Sequence, residues 1–233
     1  MKYYKIKVKR FYDNDMIATN ANGSKINDGV NYFWRMDKGE IIISPPVFDY
    51  FYLESFDEKQ YWEWMLADVY NFTGEGAQIP GWLISEKLKE ILEKHKISRP
   101  HFYYSSKLLY KQQKFDYYIF QLAGDDFLTS LINYINFNES LYFDPNQNIN
   151  FRILNMADLI CHTKRILKES EYNVTNVPIK RLVLNSSLDF FSMQSFLGDN
   201  IVSERLKQAI EEDGITGFEF SELDYEVVIG TSV

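Results

Sequence analysis

One stretch of this chain occurs twice, and it limits the folds available. Residues 84–97 read Ile-Ser-Glu-Lys-Leu-Lys-Glu-Ile-Leu-Glu-Lys-His-Lys-Ile, and residues 202–215 read Val-Ser-Glu-Arg-Leu-Lys-Gln-Ala-Ile-Glu-Glu-Asp-Gly-Ile. At an offset of 118, six of the 14 positions are identical and four more are conservative swaps. Each copy starts with a serine suited to cap a helix and a glutamate placed well against the helix dipole. Leu88, Ile91 and Leu92, like Leu206, Ala209 and Ile210, recur at i, i+3, i+4 and form one apolar stripe. Gly214 suits the left-handed position that ends the second helix, whereas Lys96 stands there in the first copy.

Shorter matches surround these helices in the same order. Tyr3-Tyr4-Lys5-Ile6-Lys7-Val8 alternates like a half-buried strand and is matched by Tyr117-Tyr118-Ile119-Phe120-Gln121-Leu122. Ile41-Ile42-Ile43 parallels Leu182-Val183-Leu184, and Phe48-Asp49-Tyr50-Phe51 parallels Leu188-Asp189-Phe190-Phe191. Phe102-Tyr103-Tyr104 and Phe218-Glu219-Phe220 follow the two helices as closing strands. The pattern predicts an α+β protein of two tandem strand-strand-helix-strand units, residues 1–112 and 113–233, packed with pseudo-two-fold symmetry. The first unit carries an insertion at 58–81, and the second carries one at about 135–175 with a helix near Ala157–Glu169. Asn27-Asp28-Gly29 reads as a turn and 58–72 as a helix.

A chain of 233 residues can bury a core as one large domain or two smaller ones. A net charge of −8 lacks the basic footprint of a nucleic-acid binder and suits a basic protein partner. Cys161 is the single cysteine, so neither an internal disulfide nor a multi-cysteine metal site is expected. No run reaches the roughly 18 apolar residues of a membrane span. The alternating N-terminus lacks a signal peptide's apolar core, and the expected location is the cytoplasm.

No catalytic set emerges. His95 and His101 stand six apart across a helix exit, a poor zinc pair, and no metal or cofactor is expected. Cys161 and His162 are adjacent, and neighbours on a helix point about 100° apart rather than converging. Gly74-Glu75-Gly76 lacks the third glycine and the strand-to-helix setting of a dinucleotide loop. Asp49 and Asp189 both sit within aromatic turns, where a carboxylate bonding backbone N–H groups is the expected role. Projecting 58–72 as a helix puts Trp62, Met65, Leu66 and Val69 inward. Tyr61, Trp64 and Asp68 then share an outer face of the kind protein interfaces use, and are the candidate partner-binding residues.

The Ser-Glu-(Lys/Arg)-Leu-Lys helices, the Asp189-Phe190-Phe191 turn and the ending Gly214-Ile215-Thr216-Gly217-Phe218-Glu219-Phe220 resemble immunity proteins of bacterial polymorphic-toxin systems. The similarity is to the families catalogued as immunity proteins eleven and forty-three, most closely over 179–222 and more loosely over 1–110. It implies a non-enzymatic protein that binds and neutralises a cognate toxin, and it supplies no functional residues to transfer. The alternative is a metal-free hydrolase or other enzyme using Asp49 or Asp189 in a cleft between the units.

Overall fold

The computed structural model describes residues 1–9, 11–12, 15–17, 26–53, 64–72, 79–124, 133–171, 177–193 and 199–230. Over these residues it is a mixed α+β protein with four helices. The alternation at the N-terminus forms β1 (Tyr3–Val8), which buries Tyr3, Ile6 and Val8. It lies between β14 (Asp199–Ser203) and β15 (Phe218–Glu222), antiparallel to both, and β13 (Phe190–Met193) completes that sheet in the order β13-β14-β1-β15.

A five-stranded sheet takes the order β4-β8-β9-β7-β6. Its strands are β4 (Phe48–Tyr52), β6 (Val69–Tyr70), β7 (Gly81–Ser85), β8 (His101–Tyr110) and β9 (Gln113–Leu122). The two ten-residue strands β8 and β9 form a hairpin through Lys111 and Gln112, both at positive φ (45° and 67°), as a type I′ turn requires. The sequence boundary at 112/113 therefore falls at a hairpin tip. β9, expected to open the second unit, pairs back onto β8 and β7.

A third sheet, β11-β10-β12-β16, combines β10 (Leu141–Asp144), β11 (Ile149–Phe151) and β12 (Ile179–Leu184) with β16 (Glu226–Ile229) from the far end of the described chain. Its helix, Met156–Glu169, covers the expected 157–169 stretch and is capped by the Asn155 side chain accepting from the Asp158 N–H. It is α3 in chain order, after α1 (Gly29–Asp37) and α2 (Glu86–Glu93) and before α4 (Glu204–Glu212). β2 (Phe11–Tyr12), β3 (Asp15–Ile17) and β5 (Trp64–Met65) make a small separate sheet.

Two local expectations are corrected. The described part of 58–72 is not a helix, because it contains β5 and β6. Buried tyrosines explain this: Tyr117 Oη donates to the Ala67 carbonyl at 2.6 Å and Tyr70 Oη to that of Met65 at 3.1 Å. Those carbonyls are thus taken by side chains rather than by amides one helical turn on. Ile41–Ile43 is not a strand. The Ile42 N–H donates to Tyr104 Oη, Gln121 Nε2 donates to the Glu40 carbonyl, and Ile43 is left 88% exposed. The turn at Asn27–Gly29 leads straight into α1, whose Phe33 and Met36 bury against β4 and its neighbours.

The core between the five-stranded sheet and the sheet that holds β1 is shared. Leu88, Ile91 and Leu92 of α2 and Leu206 and Ile210 of α4 pack in one cluster with Phe120, Phe190 and Val202. Trp82 lies at its centre, its ring centroid 5.1 Å from those of both Phe190 and Phe218.

Candidate functional site

At the start of α4, Ser203 is extended and its Oγ accepts the Leu206 N–H at 3.2 Å, the bond that caps a helix. The same hydroxyl donates to Asp189 Oδ1 at 2.7 Å. Asp189, 1% exposed, also accepts the Lys96 N–H on Oδ2 at 2.8 Å, and its own N–H donates to the Lys96 carbonyl at 2.7 Å. Arg205 closes the site with bonds from Nε and a second guanidinium nitrogen to the two carboxylate oxygens. Burial pushes the Asp189 pKa upward, but Arg205, the Lys96 N–H and the Ser203 hydroxyl outweigh it and hold the group below its ordinary value. Asp189 is thus the backbone-bonding acid that its turn implied.

Asp68, not Asp49, stands in the matching place at the start of α2. Ser85 Oγ accepts the Leu88 N–H at 3.2 Å and donates to Asp68 Oδ1 at 2.7 Å. Asp68 Oδ2 accepts the N–H and hydroxyl of Thr216, each at 2.8 Å. The Asp68 and Asp189 carbonyls accept the Ser85 and Ser203 N–H groups, both at 2.8 Å. Each acid therefore holds the serine that caps one helix and the backbone just beyond the end of the other, at Thr216 past α4 and at Lys96 past α2. The cation differs. Lys87 stands where Arg205 stands, but its ammonium bonds the Asp213 carbonyl at the end of α4.

The sequence held a sign of this pairing. Asp68 precedes Val69-Tyr70 and Asp189 precedes Phe190-Phe191, two residues that pair as a strand with the one leading into the capped helix. The offset of 118 between the helices does not superpose the two acids, because the spacings to serine differ, 17 residues against 14. Asp49 instead pairs with Lys114 at 2.9 Å on the surface. The helix lysines match as well: Lys89 lies over the Tyr103 and Tyr118 rings, and Lys207 over those of Tyr4 and Phe220.

Of the expected partner-binding residues, Tyr61 lies outside the described residues. Trp64 pairs with Met16 in the small sheet, and its side chain is likewise outside them. Asp68 has both carboxylate oxygens engaged with Ser85 and Thr216. Large apolar exposure appears instead in a segment the sequence did not single out. Val30 and Trp34 (61% exposed) project from α1 one turn apart, and Ile43 and Val47 are exposed after it. Helical spacing would have found Val30 and Trp34 had 29–37 been read as a helix.

His95 and His101 turn Nδ1 toward the carbonyls of Ile91 (2.7 Å) and Ser98 (3.0 Å), and His162 lies 3.4 Å from Asp158. Among the described residues, no three His, Cys, Asp or Glu side chains converge as a metal site would require, and no helix is long and apolar enough to cross a membrane. No protein-family model and no curated protein matches this chain.

Proposed function

We propose that this chain is a non-enzymatic immunity protein that binds and neutralises a cognate bacterial toxin in the cytoplasm. The observation that carries the reading is the exposure of four large apolar side chains, Val30, Trp34, Ile43 and Val47, within 18 residues of chain. Exposed tryptophan beside aliphatic groups has the composition of an interface anchor. Tyr61 and Trp64 belong to a second proposed contact segment, and Asp68 fixes its base. The excess of acidic residues would speed association with a basic toxin.

The same reading takes the scaffold as two tandem units related by a pseudo-two-fold. The shared serine caps, acid–serine bonds and lysine–aromatic contacts of α2 and α4 support it. Co-expression with a toxin encoded beside this chain tests the function. Wild type should restore growth, and Trp34→Ala should protect less while melting at the same temperature. Failure of the wild type to bind or protect, or substrate turnover by the purified protein, would refute the reading.

A further inference from the structure

The geometry points to a reciprocal interlock that makes the two halves of this chain open as one. Each half supplies an inner strand to the other's sheet. β1, from the first half, is hydrogen-bonded on both sides within the second half's sheet, to β14 and β15. β9, from the second half, is bonded on both sides within the first half's sheet, to β7 and β8. Withdrawing either half removes a middle strand and exposes two unpaired edges, a state that β-sheet proteins avoid.

The acids fasten the same exchange. Asp189 binds the cap of α4 and the exit of α2, and Asp68 binds the cap of α2 and the exit of α4. Separation would leave both carboxylates without their cross-half N–H donors. Trp82, wedged between Phe190 and Phe218, would lose its packing in the same event. Neither sheet can then loosen first while the other keeps its bonds. This inference takes the halves as the units 1–112 and 113–233 proposed above, and it stands whether or not the chain binds a toxin.

Native-state hydrogen exchange on the full-length protein across low denaturant concentrations reads the opening units directly. The slowest amides of β1 and β14 and those of β7 and β9 should exchange through one opening, with the same denaturant dependence. Asp189→Asn should reduce protection in both sheets by the same factor, on the order of 30-fold. Should that variant not fold, the wild-type exchange alone decides the matter. The interlock is overturned if one sheet exchanges through a smaller opening that leaves the other protected. It is equally overturned if Asp189→Asn loosens β1 and β14 while β7 and β9 keep their protection.

Discussion

Asp189 Oδ1 and Ser203 Oγ lie 2.7 Å apart, and Asp68 Oδ1 and Ser85 Oγ repeat that distance at the other helix. In both places one hydroxyl accepts a helix amide and donates to an acid, so cap and carboxylate orient each other. The acid reaches on to backbone beyond the other helix, and a local capping motif thereby becomes a long-range contact.

Replacing Asp189 with Ala should destabilise the protein by about 2–4 kcal/mol, because the buried Ser203 hydroxyl and Lys96 N–H lose their partner. Asp68→Ala should cost about 1–3 kcal/mol for the same reason. Asp49→Ala removes only a surface ion pair and should stay within about 1 kcal/mol. Urea unfolding of the three variants gives the ranking, and an Asp49 variant as damaged as the Asp189 variant would contradict it.

Acid should unfold the protein partly through Asp189 and Asp144. Burial raises both pKa values, but their arginines, Arg205 and Arg165, together with backbone N–H groups bring both below the ordinary value. A carboxylate whose folded pKa is depressed stabilises the fold above its unfolded pKa of about 3.9 and loses that contribution as pH falls through the folded value. Stability should therefore fall as pH drops below about 4. Asp189→Asn should flatten this dependence relative to wild type, as followed by denaturant midpoints from pH 6 to pH 2.

Gly39→Ala should cost at least about 3 kcal/mol. Its φ is +83°, and a Cβ there would lie 1.8 Å from the Gly124 carbonyl oxygen. The clash is with backbone that also donates an N–H to the Gly39 carbonyl at 2.8 Å, so neither the turn after α1 nor the end of β9 can retreat. Gly214→Ala, also at positive φ but with open space around it, should cost only about 1 kcal/mol. Thermal melts of the two variants separate steric clash from backbone strain.

Trp34→Ala should leave the melting temperature within about 2 °C of wild type, because the side chain faces solvent. It should weaken binding of the cognate toxin by about 30-fold, the effect of removing an interface tryptophan. Calorimetry with the toxin measures this. Equal affinity in a folded variant would exclude α1 from the contact.

Much of the fold was legible because it is written in local chemistry. Serine capping with an apolar i, i+3, i+4 stripe specified α2 and α4, and period-two alternation specified β1. The ending at Gly214 followed from its left-handed φ of 61°. These signals act over a few residues, which is why spacing alone reveals them. The tertiary structure decided the rest. It set β1 beside β14 and β15, drew β9 back through the Lys111–Gln112 turn, and made Asp68 rather than Asp49 the counterpart of Asp189. It also made strands of 64–65 and 69–70, where Tyr70 and Tyr117 hydroxyls took backbone carbonyls that a helix would have used. The pairing of β1 and the place of Asp68 depend on groups far apart in the chain, such as Asp68 and Thr216, 148 residues apart. A hydrogen bond at that separation leaves no periodicity for the sequence to display.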